Sequence, residues 1–554
     1  MKYKIKNYLN SEKGKKLIYY GISGAITTVI SFVTYKVFLD VLKLHYVLAF
    51  SMSWILAVTF AYLSTRVNVY DSKADSKKEK ASEYVRFIIG RVITYLVNLG
   101  LLVIAVEWLG LDKFWSNVVI TIIVIILNYF IGNLTINFLK IQNIKSLVSN
   151  IDNNRKILFI ILGVITIFAI IVRIPFLNIE SLDYVKFLSG WFNHLKENGG
   201  IKGILSLGSD YNLVYLEILA LLTYIPVNSL YLIKTVSIIF DIALALSCMS
   251  LVSRYSGKNA KSKIITYVLV LFMPTIVLNS SAWAQCDSIY ATFVILSLSC
   301  LIDKKYIKCI LLYGVALSFK LQAIFLLPVF ALIFLGQKDA RKKVLYTPLV
   351  LLPNFILSLP AIVSGNSIVS VFKIYSTQVG EYIEYISQNI SNIYHLIYFT
   401  GDVNIEKTSN GVFISMLILT FAIFLIIYIC VVKRKIILDK KNILLISLWS
   451  VLVSLYFLPC MHDRYLYLAD VLSIICFTVF KDTKIINLMM MVNVEIISFC
   501  SYAIYLFGKN TSDMVVLSIV YLLTILILTY FIFKGEKNEK IICNSSDVQW
   551  RRSG

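Results

Sequence analysis

Apolar runs long enough to cross a bilayer recur along this chain from Leu17 almost to Phe533, and no other feature restricts its fold so severely. A spanning helix needs about 20 mostly apolar residues, and in lipid a helix satisfies every backbone N–H and C=O within its own segment. Of 554 residues, 58% are hydrophobic and only 15% are charged. The chain therefore reads as an all-α polytopic membrane protein, with about 16–17 transmembrane helices. Its first apolar run is too long for a signal peptide and lacks a small-residue cleavage site, so it reads as a span.

The net charge of +22 has a membrane explanation, not a nucleic-acid one. The lysines gather in short loops between spans, where they act as orientation signals beside an anionic cytoplasmic leaflet. Nine cysteines lie scattered, without CxxC or metal-ligand spacing, so neither a zinc site nor a disulfide framework is expected. A Cys286–Cys460 bridge is the one pairing their positions suggest.

Four spans are expected at 17–39, 46–65, 86–107 and 116–138, followed by a polar, lysine-bearing linker from Lys140 to Lys156. Leu42, Leu44 and Tyr62 recur at one offset as Leu109, Leu111 and Tyr129, the pattern of a duplicated hairpin. Basic loops at the N-terminus, at Arg66–Arg86, in the linker, and at Arg254–Lys263, Lys304–Lys308, Lys338–Lys343 and Lys433–Lys441 read as cytoplasmic. Loops 178–212, 283–287, 366–410 and 460–465 then fall on the outer side. This requires 307–336 to be a hairpin of two short spans. It also requires 211–253, broken near Pro226 and Lys234, to contain one short or re-entrant piece.

Four polar clusters share that outer side: Asp183, Trp283 to Asp287, Lys320, and His462 to Tyr465. Charge at the membrane is expensive enough that it is kept mainly where it has a task. Asp183 can take a proton from an attacking sugar hydroxyl, or merely cap an interfacial helix beginning at Ser181. Lys320 can hold a phosphate or snorkel to the interface. Arg464 offers a planar fork to phosphate, with His462 as a titratable donor, or else Arg464 and Tyr465 anchor a helix end. Trp283 and Gln285 suit a carbohydrate ring, with Asp287 fixing either partner, although Trp in an interfacial belt is the simpler reading.

These residues occur in an order that resembles the GT-C class of integral-membrane glycosyltransferases, most closely the bacterial GPI mannosyltransferase-II-like group. The likeness runs over roughly 155–535. It comprises Arg173-x-Pro175, Leu182-Asp183-Tyr184 with Trp191, Asp210-Tyr211 before Tyr215, and Leu278-Asn279-Ser280 leading to Trp283-x-Gln285-x-Asp287-Ser288. Ser318-Phe319-Lys320-x-Gln322, Pro328 and Met461-His462-Asp463-Arg464-Tyr465 complete it, with Ala284 standing where the group usually has glycine. The resemblance implies a polyprenyl-phosphate sugar donor, an extracytoplasmic site and an acidic residue, matched here by Asp183, that engages the acceptor. The four-span half resembles the GtrA-like family through Tyr20-Gly21-x-x-Gly24, Arg66-x-Asn68-x-Tyr70, Arg86-Phe87 and Asn137-Phe138. Members of that family are thought to move polyprenyl-phosphate sugars or to support glycosyltransferases.

The expected organisation is a four-helix GtrA-like bundle at 1–140, a cytoplasmic linker at 141–155, a GT-C type domain at 156–535 and an unstructured polar tail at 536–554. The expected activity is sugar transfer from a lipid-linked donor to a glycan, lipid or protein acceptor at a bacterial cell membrane, with both termini cytoplasmic. Asp183 would be catalytic. Lys320, His462, Arg464, Tyr465, Asp210, Tyr211, Trp283, Gln285, Asp287 and Gln322 would bind substrate. No cofactor or nucleic-acid partner is implied, and a divalent-metal requirement is not legible. The alternative is a lipid-linked-sugar flippase without transfer chemistry.

Overall fold

A computed structural model describes residues 12–38, 46–72, 75–76, 79–85, 87–88, 90–91, 128, 155–257, 259–335, 344–380, 384–407, 409–433, 440–480, 483–508 and 513–546. The chain forms two compact units, Met1–Leu158 and Phe159–Gly554.

In the first unit, α1 (Glu12–Lys36) packs along α2 (Tyr46–Thr65). Tyr20, Val58, Ala61, Tyr62, Val69, Tyr70 and Phe87 form its core. Just past α2, the Arg66 guanidinium lies 3.4 Å from the buried Glu83 carboxylate, which also accepts a 2.7 Å hydrogen bond from Ser72. A buried carboxylate requires such partners, so Arg66 has a structural task in closing this hairpin. The second expected hairpin, with Leu109, Leu111 and Tyr129, lies almost wholly outside the described residues, as does most of the linker.

The second unit is helical apart from one small sheet. Its main helices are α3 (Arg155–Arg173), α4 (Ser189–Glu197), α5 (Leu213–Leu222), α6 (Ser229–Ser256), α7 (Ala260–Phe272), α8 (Pro274–Ser281), α9 (Asp287–Ile302), α10 (Tyr306–Phe319) and α11 (Leu327–Leu335). After short turns come α12 (Ile368–Gly380), α13 (Asn410–Lys433), α14 (Lys440–Phe457), α15 (Tyr467–Val479), α16 (Lys484–Phe507) and α17 (Met514–Ser546). Among the described residues, five helices are long and apolar enough to cross a membrane. The α7–α8 pair makes a sixth, bent by 49°. Pro274 at the start of α8 explains the bend, since its ring lacks an N–H and clashes with the preceding turn.

Two buried cations tie together the helices and the loop that precede Asp183. Arg173, at the end of α3, donates to Asp241 of α6 at 2.8 and 3.1 Å and to the carbonyls of Ala169 and Leu271. Ser280 of α8 donates to the same Asp241 oxygen at 2.6 Å, so three helices meet on one carboxylate. Lys234 of α6 donates to the carbonyls of Phe176, Leu177 and Ile179 at 3.0, 2.9 and 2.6 Å. It thereby ties down the loop that leads to Asp183.

The 211–253 segment resolves into a short α5 and a continuous α6. The break falls at 223–228, around Pro226; Lys234 interrupts nothing, because its ammonium is satisfied by carbonyls outside its own helix. The 307–336 run breaks at Lys320, whose backbone is extended between α10 and a 3-10 turn, Leu321–Leu326. In the polar tail, α17 carries helical backbone as far as Ser546, where an unstructured segment was expected from 536. The sheet, unexpected from the sequence, has strand order β2–β1–β3. Here β1 (Tyr385–Gln388) runs antiparallel to β2 (Asn404–Glu406) and parallel to β3 (Met461–His462).

Candidate active site

The site is assembled around the Asp183 carboxylate. Asp183 stands immediately before a π-helical turn, Tyr184–Leu188, yet its side chain makes no capping bond. Ser181 does that work instead: its hydroxyl accepts from the Tyr184 N–H at 3.2 Å and donates to the Trp283 carbonyl at 2.7 Å. The helix-cap reading of Asp183 is thereby corrected, and its side chain is left to face the other clusters.

Oδ2 of Asp183 accepts three hydrogen bonds: from Trp283 Nε1 at 3.0 Å, Gln285 Nε2 at 2.6 Å and Arg464 Nη1 at 2.5 Å. Oδ1 accepts from the Tyr505 hydroxyl. Burial pushes this carboxyl toward its neutral form. The Arg464 charge, with the Tyr505 and Trp283 donors, outweighs that penalty and holds it below the usual carboxylate range.

A second carboxylate sits behind the first. Lys320 Nζ donates to Asp287 Oδ1 at 2.5 Å and to Gln285 Oε1 at 3.1 Å. Its ammonium also lies 5.7 Å from the Tyr211 ring centroid. Tyr211 donates to Gln285 Oε1 at 3.1 Å, so the Gln285 amide links Lys320 to Asp183. Asp287 opens α9, where a negative charge suits the helix N-terminus, and its other oxygen accepts from Asn279 at 2.7 Å. The turn between α8 and α9 places Ala284 at φ +63°, a left-handed conformation that glycine adopts without penalty.

The third element is the turn after β3. Cys460, at φ +61°, donates its N–H to the Ile386 carbonyl at 2.9 Å, and the parallel pairing of β1 with β3 aims the chain at the site. Asp463 accepts from the Arg464 N–H at 2.8 Å and from Asn389 at 3.2 Å. Burial raises its carboxyl to about 6, against the pull of Arg464. The His462 imidazole is driven the other way, to about 3, by burial and then by Arg464. It is neutral at physiological pH, which corrects its expected role as a titratable donor.

Several further expectations change. Trp283 is fully buried, stacked on Tyr505 and edge-on to Tyr502, so no face of it is open to a sugar; its indole N–H holds Asp183 instead. Tyr465 packs against His462 and Phe325. Asp210 is represented by its main-chain carbonyl, which accepts from Gln378 at 2.7 Å. Among the described residues, neither its carboxylate nor the Gln322 side chain bonds to the cluster. Cys286 and Cys460 are both free thiols. The sequence does not single out Tyr502 and Tyr505, because two tyrosines in an apolar helix look like most of the other 33 in this sequence. Asn279 lay in a recognised motif without an assigned contact.

Residues 19–137 match the GtrA/DPMS transmembrane domain. The chain is 35% identical over 113 residues to the cell wall teichoic acid glycosylation protein GtcA of Listeria innocua, covering 20% of this chain and 78% of that protein. The Listeria monocytogenes counterpart is 34% identical over the same length, with the same coverage. The Bacillus subtilis membrane protein YwcD is 24% identical over 110 residues, covering 20% of this chain and 87% of that protein. Through these residues the chain belongs to the GtrA/DPMS transmembrane-domain family.

Proposed function

We propose that this multi-pass membrane protein is a glycosyltransferase. It would take a sugar from a polyprenyl-phosphate donor and transfer it to a cell-envelope acceptor on the extracytoplasmic side, with residues 19–137 supplying or presenting the donor. The observation that carries this reading is the direct contact of Asp183 with Arg464. Moving a lipid phosphate needs a cation alone; transferring its sugar needs a carboxylate within reach of that cation. The relatives named for teichoic acid glycosylation support a role in glycosylation for the first unit.

An apolar cavity of about 620 Å³ adds support. Phe325, Leu327, Phe421, Phe424 and Trp449 are among its walls, and Phe325 also touches Tyr465 beside Arg464. Such a cavity suits a prenyl tail whose phosphate reaches the cations.

In the proposed reaction the acceptor oxygen attacks the anomeric carbon. Its proton passes to Asp183, and the bond from that carbon to the phosphate oxygen breaks with its electron pair on the phosphate. Arg464 stabilises the departing charge. Lys320 acts through Gln285 and Asp287 to hold the site in register.

The test compares purified protein with its Asp183→Asn variant, using polyprenyl-phosphate sugars, alongside mass spectrometry of envelope glycans with and without the chain. Transfer should fall by about 10²–10⁴-fold in the variant, the usual contribution of a general base. Transport of donor without any transfer by the unaltered protein would establish the flippase reading instead.

A further inference from the structure

The two cations of the site are held differently. Lys320 and Asp287 keep only 4% and 3% of their side-chain surface exposed, and Lys320 is further engaged by Gln285 and Tyr211. Arg464 and Asp183 keep 17% each. The Arg464 Nε is itself buried and, among the described residues, has no hydrogen-bond partner. An orphaned guanidinium N–H beside a partly open ion pair is an unfilled valence for an anion, because a planar guanidinium presents paired donors that match phosphate oxygens.

Asp183 would survive the loss of Arg464. Trp283, Gln285 and Tyr505 supply the rest of its hydrogen bonds, and each has an anchor other than Arg464: Trp283 and Tyr505 stack on one another, and Gln285 is held by Lys320 and Tyr211. Among the described residues Arg464 has one side-chain hydrogen bond, to Asp183, and its ring contact with Trp283, at 5.8 Å, tolerates a shift of the guanidinium.

Resting on the transferase reading above, we propose that Arg464 is an exchangeable latch. In the resting protein it pairs with Asp183; an incoming lipid phosphate takes over the guanidinium and releases the carboxylate to act as base. Removing a neighbouring cation raises a carboxylate's affinity for a proton. Donor binding therefore switches the base on, and the acceptor hydroxyl meets an active base only when a donor is in place. The other cation does not take part in the exchange, since withdrawing Lys320 would leave Asp287 as an unpaired buried charge.

The latch predicts an affinity gain from a mutation that destroys activity. Asp183→Asn and Asp183→Ser remove the anion that competes for Arg464, so each should bind a polyprenyl monophosphate in detergent about tenfold more tightly than the unaltered protein, as expected for one charge-assisted contact. The gain should vanish when Arg464→Ala is added to either variant. Unchanged or weaker binding in both variants, with binding by the unaltered protein still dependent on Arg464, would overturn the latch and leave the transferase reading standing. Binding that is indifferent to Arg464→Ala in the unaltered background would overturn both.

Discussion

Tyr505 lies flat on Trp283, with ring centroids 4.2 Å apart and planes 12° from parallel, and both residues donate to the Asp183 carboxylate. The stack sets the position of two donors at once. It joins α16, late in the chain, to the turn between α8 and α9, more than two hundred residues earlier.

Tyr505→Phe separates the two roles. It keeps the stack and removes only the hydroxyl that donates to Oδ1. A hydrogen bond to a carboxylate favours its charged form and is worth about 1.5–3 kcal/mol, so without it the acid limb of the kcat–pH profile should move up by roughly one to two pH units while KM for the donor changes little. Steady-state kinetics with purified protein across pH checks this; a raised donor KM with an unmoved limb would contradict a role at the base.

Lys320 and Arg464 should fail in different ways. Lys320→Met strands Asp287 in a buried position, where an unpaired charge destabilises by about 3–5 kcal/mol, so the thermal midpoint should drop. Adding Asp287→Asn should recover much of it. Arg464→Lys should leave the midpoint nearly unchanged and raise donor KM about tenfold, because the guanidinium fork is lost while the charge remains.

The pH dependence should belong to Asp463 and not to His462. Burial raises Asp463 to about 6, so its carboxylate gains a proton, and loses its charge beside Arg464, as pH falls through that value. A phosphodiester donor keeps its charge across the same range, so donor KM should decrease below about pH 6. Asp463→Asn should show the low KM throughout. His462, lowered to about 3, stays neutral across this window, and His462→Gln should not move the limb.

Much of this site was legible from charge in an apolar chain. Asp183, Asp287, Lys320 and Arg464 stand out because buried charge demands a partner, Gln285 stands out beside Asp287, and all five meet in one network. What each side chain does there was less legible. Trp283 reads as a sugar platform until Tyr505 is seen covering it, and that contact spans too much sequence for spacing to reveal. His462 reads as a titratable donor until its burial is known. The β1–β3 pairing rests on four- and two-residue strands joined across more than seventy residues, too short to carry a periodic signal. Ala284 was visible as a departure from a motif, and its φ of +63° is a conformation that glycine adopts without penalty.

The division of labour between the two units gives the last prediction. Among the described residues the charged cluster lies within 183–505 of the second unit, whereas the family match covers 19–137. If the first unit supplies donor and performs no chemistry, a chain beginning near Ile151, just ahead of α3, should transfer sugar in detergent when lipid-linked donor is added directly. In sealed vesicles loaded with donor on the cytoplasmic side, the same shortened chain should work poorly, because tethering otherwise keeps the supplying module at high effective concentration beside the site. Loss of activity in detergent as well would make residues 19–137 part of the catalytic fold. Full activity in both settings would remove donor supply from the role of the first unit.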